Sequence, residues 1–167
     1  MATSPINVLF LCTHNSARSI LAEALLNAVG GGRFRAHSAG SSPRENQQPN
    51  PMALRVLQEA GIDTAGLASK SWEVFAAPGA PHMDLIITVC DNAAGETCPI
   101  WPGHPATAHW GYPDPSETPG GDEARHQAFR ATLHAIKRRI DILVGLPEDR
   151  LHALVLQQTA RELGAGD

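Results

Sequence analysis

A short apolar run, Ile6-Asn7-Val8-Leu9-Phe10-Leu11, ends at Cys12 and, after a tight polar turn, gives way to a stretch from Ser16 to Ala28 dense in helix formers. This junction constrains the fold more than any other feature of the chain. An apolar run without alternation suits a strand buried on both faces, and such strands belong to parallel sheets whose crossovers are helices. Gly30-Gly31-Gly32 stops the helix. Phe34 to Ala39 reads as the next strand. Asn50-Pro51 supplies an N-cap and a first-turn proline for a helix running to Ala60, with Gly61 as its stop.

Asp84 to Val89 is another buried-strand run, followed by a loop rich in glycine, proline and asparagine and a short strand around Thr107 to Trp110. From Asp122 onward, Phe129, Leu133, Ile136, Ile140 and Leu143 recur at spacings of three and four, the pattern of a long amphipathic helix. A last helix is expected from about Pro147 to Leu163. The alternation predicts one α/β domain over 1–167, built on a single open, mainly parallel four-stranded sheet flanked by helices. Such sheets bind ligands at the carboxyl ends of their strands.

The 167 residues, 43% of them hydrophobic, suffice for a core without covalent staples. A formal net charge of −4 excludes a general nucleic-acid binder that works by neutralising phosphates. No run approaches the roughly 18 apolar residues of a membrane span, and the N-terminus lacks the pattern of an export signal, so a cytoplasmic protein with no membrane partner is expected. Three cysteines, Cys12, Cys90 and Cys98, are an odd set for a disulfide framework and point to reactive thiols.

Cys12-Thr13-His14-Asn15-Ser16-Ala17-Arg18-Ser19 puts a thiol at the end of the first strand and a guanidinium in the first turn of the next helix. Backbone N–H groups of such a loop, with the positive end of the helix behind them, surround a tetrahedral anion, and Arg18 grips two of its oxygens. The same field favours the thiolate over the thiol, which makes Cys12 a nucleophile near neutral pH. Ser19 is a hydrogen-bond donor to that thiolate, and Asn15 tolerates the left-handed backbone of a tight turn.

The segment Val8 to Ser19 resembles the anion loop of the low-molecular-weight protein tyrosine phosphatase fold, in particular its arsenate reductase branch. Thr88-Val89-Cys90-Asp91, Cys98-Pro99 and His109-Trp110-Gly111-Tyr112-Pro113-Asp114-Pro115 are similar to that branch too, so the likeness spans most of residues 6–145. The resemblance implies that Cys12 attacks the oxyanion, that Thr13, His14, Asn15, Ser16, Ala17, Arg18 and Ser19 cradle it, and that Asp114 protonates the leaving oxygen. Arsenate is the implied substrate, with phosphate or sulfate as competing anions. Cys90 then attacks the Cys12 adduct, arsenite leaves, and Cys98 moves the disulfide to Cys90–Cys98. Thioredoxin or glutaredoxin is the implied electron donor, and no cofactor is required. Some members hold potassium beside the loop with an aspartate. Lys70 stands near that place here, so its ammonium is expected to replace an ion among Asn15, Glu23 and Ser38.

Two other readings compete. The first is a tyrosine or small-molecule phosphatase that forms and hydrolyses a phosphocysteine on Cys12. Members that take phosphotyrosine usually carry aromatic residues after the Asp-Pro pair, where this chain has Ser116 and Glu117. The second is a metal-binding module of Cys90, Cys98, His104 and His109, whose spacing lacks the close Cys-x-x-Cys pair of most structural zinc sites.

Overall fold

The computed structural model describes residues 5–15, 17–41, 45–76, 78–80, 83–89, 106–147 and Arg150. Among them, strands β1 (Ile6–Cys12), β2 (Phe34–Gly40), β3 (Leu85–Thr88) and β4 (Ala106–His109) form one all-parallel sheet in the order β2-β1-β3-β4. The chain steps from β1 to β2 on one side and then returns to add β3 on the other. That reversal opens a crevice beyond the carboxyl end of β1, the usual ligand position in an open parallel sheet. Cys12, opposite Gly40 in the register, lies at its mouth.

Helices α1 (Arg18–Val29), α2 (Pro51–Glu59), α3 (Glu73–Ala76) and α4 (Gly121–Val144) complete the described elements, with a 3₁₀ turn at Pro115–Glu117. Because side chains alternate along a strand, β1 splits its apolar run between two cores. Val8 and Phe10 join Leu21, Leu25, Val56, Leu57, Ile87, Phe129, Leu133 and Ile136 on the face that α1, α2 and α4 cover. Leu9 and Leu11 join Ala39, Met83 and Ile86 on the other, where Trp72 and Phe75 pack. Each fully buried large side chain, such as Phe10 or Ile136, contributes about 1.5–3 kcal/mol.

The helix ends follow from local chemistry. Asn50 Oδ1 accepts from the Met52 amide at 2.8 Å, and Pro51 occupies the first turn of α2. The carbonyls at the end of α4 are met by the turn before β2, where the Arg33 guanidinium donates to Val144 O at 2.9 Å and Leu146 O at 2.8 Å. The expected strands and the long amphipathic helix are all present to within a residue or two. Helix α1 starts at Arg18, two residues after the expected Ser16, with Ala17 as its N-cap. The short α3 was not anticipated, four residues being too few to show a period. Most of the last expected helix lies outside the described residues. No helix among the described residues is long and apolar enough to cross a membrane.

Candidate active site

The loop after β1 wraps around the Cys12 sulfur. Cys12 is buried, its Sγ 3.1 Å from Ser19 Oγ and 3.2 Å from the amide of Asn15, which donates to it. Asn15 has φ +57°, the left-handed conformation that aims its N–H back at the sulfur. Its side chain is oriented from both ends. Asn15 Oδ1 accepts from the Lys70 amide at 2.9 Å, so Nδ2 faces Ser19 Oγ and donates to it at 2.8 Å.

Helix α1 begins without a side-chain cap, its N-cap position being Ala17. Its first amides and its dipole therefore stand available to an anion in the loop. Arg18, buried at the head of this helix, is aimed by a distant main-chain group: Nη1 donates to Tyr112 O at 2.8 Å. Nη2 lies 3.9 Å from Asp114 Oδ2, which brings the expected acid to the guanidinium across nearly a hundred residues of sequence. Thr13 and His14 are half-buried in the same loop. Ser16, Cys90 and Cys98 lie outside the described residues.

A second tier supports the loop from below. Gly40, at the end of β2, lies directly under it: a Cβ there would come within 2.6 Å of Thr13 O and 2.9 Å of the His14 carbonyl carbon. Residues 69–72 strap it from the side. Ser69 Oγ donates to Asn15 O at 2.6 Å, Gly40 N donates to Lys70 O at 2.9 Å, and Trp72 N donates to Gly40 O at 2.9 Å. Lys70 Nζ donates to Ala68 O at 2.7 Å and Ser38 O at 3.1 Å, and stands 4.0 Å from Glu23 Oε1, which also accepts from Ser38 Oγ. Burial pushes the Glu23 carboxyl up, opposed by the Ser38 hydrogen bond and Lys70, and the same burial pulls Lys70 down, opposed by Glu23. A lysine ammonium thus supplies the positive charge amid these oxygens. They do not fit a potassium ion as well.

Sequence reasoning named the loop, Asp114 and Lys70. It missed Gly40, Ser69 and the Tyr112 carbonyl. An invariable need for glycine or a main-chain contact leaves no mark in one sequence, although Ser38-Ala39-Gly40 at a strand end was a signal for close approach of another backbone. Of the metal-module residues, Cys90, Cys98 and His104 lie outside the described residues, and His109 Nδ1 is 2.8 Å from Thr88 Oγ1.

A buried thiol ending a central parallel strand, an uncapped helix behind it and a buried arginine at the head of that helix are the arrangement of a cysteine-based, oxyanion-handling enzyme of the phosphatase-loop class. The chain belongs to the low molecular weight phosphotyrosine protein phosphatase family, whose model matches residues 7–155. Within that family it is similar to arsenate reductases. That of Bacillus licheniformis is 34% identical over 133 residues, 80% of this chain and 91% of the relative. The arsenate reductase structure from Archaeoglobus fulgidus superposes with a TM-score of 0.66 at 31% identity, covering 83% of this chain and 99% of that one. A thioredoxin-dependent arsenate reductase of Corynebacterium glutamicum matches with a TM-score of 0.52 at 26% identity, over 85% of this chain and 65% of that one.

Proposed function

We propose that this chain is an arsenate reductase in which Cys12 is the nucleophile, Arg18 and the backbone of residues 13–18 hold the oxyanion, Asp114 is the general acid, and Cys90 and Cys98 carry the oxidation away. The observation that carries this reading is the Cys12 sulfur hydrogen-bonded with Ser19 Oγ and the Asn15 amide, in a loop that ends at an arginine reaching Asp114. The Cys12 thiolate attacks the arsenic of arsenate. An As–O bond breaks, and the departing oxygen takes the Asp114 proton and leaves as water. The arsenic is still pentavalent. A Cys90 thiolate then attacks the Cys12 sulfur, the S–As bond breaks with its electron pair passing to arsenic, and arsenite departs, leaving a Cys12–Cys90 disulfide. Cys98 attacks Cys90, frees Cys12 and leaves Cys90–Cys98 for an external thiol.

Thioredoxin is the proposed reductant, supported by the thioredoxin-dependent neighbour, and glutaredoxin would serve the same exchange. Phosphate and sulfate compete for the cradle because they share its tetrahedral shape and charge. Electrons come from thiols alone, so the reading requires no cofactor. The test is a thiol count on fully reduced protein mixed with arsenate and no other reductant, with arsenite measured in parallel. Loss of two of the three thiols with one arsenite per chain is expected. No thiol loss and no arsenite would overturn an intramolecular reductase. Cys98→Ser should release one arsenite and stall with Cys12 joined to Cys90, and normal turnover of that variant with thioredoxin would refute the relay.

A further inference from the structure

Asp114 has two oxygens in different surroundings. Oδ1 accepts twice from one residue, from the Ser116 amide at 3.0 Å and from the Ser116 hydroxyl at 2.7 Å. Oδ2 takes no hydrogen bond from the described residues and faces Arg18 Nη2 at 3.9 Å. The amide bond alone is an ordinary cap, since Asp114 precedes the 3₁₀ turn Pro115–Glu117. The hydroxyl bond is not needed for that cap. Both of these bonds are made with Oδ1 as acceptor, and protonating Oδ1 would turn its hydrogen against the Ser116 amide, which only donates, and would require the hydroxyl bond to reverse, so the proton is favoured on Oδ2.

We propose that Ser116 is a positioning residue for the general acid: its hydroxyl pins Asp114 Oδ1, so that the proton resides on Oδ2, the oxygen beside the arginine that grips the oxyanion. This rests on the reading of Asp114 as the acid. The two oxygens of a free carboxyl exchange by rotation about the Cβ–Cγ bond, and only one of them lies toward Arg18. Pinning Oδ1 removes the rotamer in which the proton is carried away from the leaving oxygen. The residue that follows the Asp-Pro pair thereby acts on the chemical step through Asp114, without touching the oxyanion.

The experiment is the rate of thiol loss by the fully reduced protein as a function of arsenate concentration, for wild type, Ser116→Ala, Ser116→Thr and Asp114→Asn. Ser116→Ala keeps the main-chain cap. It should lower the limiting rate on the order of tenfold with the half-saturating arsenate concentration unchanged, and Ser116→Thr, which keeps the hydroxyl, should restore the rate. If Asp114→Asn slows the reaction and Ser116→Ala does not, or if Ser116→Ala only weakens arsenate binding, Ser116 does not position the acid. If Asp114→Asn reacts at the wild-type rate, the assignment of the acid itself fails, and the Ser116 role with it.

Discussion

Asn15 Nδ2 donates to Ser19 Oγ at 2.8 Å, which leaves the Ser19 hydroxyl hydrogen available to a Cys12 thiolate whose Sγ stands 3.1 Å away. A thiolate at this position accepts from the Asn15 amide and from the Ser19 hydroxyl. A net hydrogen bond to a charged group contributes about 1.5–3 kcal/mol. Ser19→Ala is therefore expected to slow alkylation of Cys12 by iodoacetamide at neutral pH by about tenfold. An unchanged alkylation rate would mean that the backbone alone stabilises the sulfur.

Gly40 carries no side chain because the loop backbone occupies the place where one would be. Gly40→Ala forces Thr13, His14 and Asn15 upward, and overpacking of this kind costs about 1–3 kcal/mol. We expect that loss in chemical denaturation together with weaker binding of inorganic phosphate by titration calorimetry. Wild-type phosphate affinity in this variant would show that the loop tolerates the displacement.

Lys70 and Glu23 form a half-buried pair behind the loop, and removal of the ammonium leaves the carboxylate without its cation. Burial already raises Glu23 above its ordinary value of 4.5, so the folded protein holds that proton more tightly than the unfolded chain does. Stability from such a group is present at low pH and is lost as pH rises from about 4.5 through the raised value. In Lys70→Met the rise is greater, so the melting temperature should fall more steeply from pH 5 to pH 8 than in the wild type, and Lys70→Met/Glu23→Gln should remove the difference. Replacing sodium by potassium at constant ionic strength should leave the wild-type melting temperature unchanged.

His37 titrates in the opposite sense. Burial, then the charges of Arg35 and Lys70, pull it below its ordinary 6.5, and its Nε2 lies 3.2 Å from Asn7 Oδ1. The unfolded chain takes up the proton first, so stability declines as pH falls below about 6.5 toward the lowered folded value. His37→Gln should flatten the decline in melting temperature between pH 7 and pH 5. Parallel curves for variant and wild type would assign the acid sensitivity to other groups.

Local sequence determined much of this protein. The unbroken apolar run of β1 demanded burial on both faces, the glycines after α1 ended the helix, and the spacing of Phe129, Leu133, Ile136 and Ile140 set the face of α4. The layout of the loop was legible for the same reason: Cys12, Asn15 and Ser19 are brought together, and Arg18 is set at the helix head, by one turn and the start of one helix, within reach of local backbone geometry. Only the tertiary structure decided that Gly40 lies beneath Thr13, that Ser69 and Lys70 strap Asn15, and that the Tyr112 carbonyl aims Arg18. These contacts join residues remote in the chain, and several use main-chain atoms that every residue possesses. Periodicity and side-chain type carry no trace of such bonds, which exist only once the parallel register sets the carboxyl ends of the strands side by side.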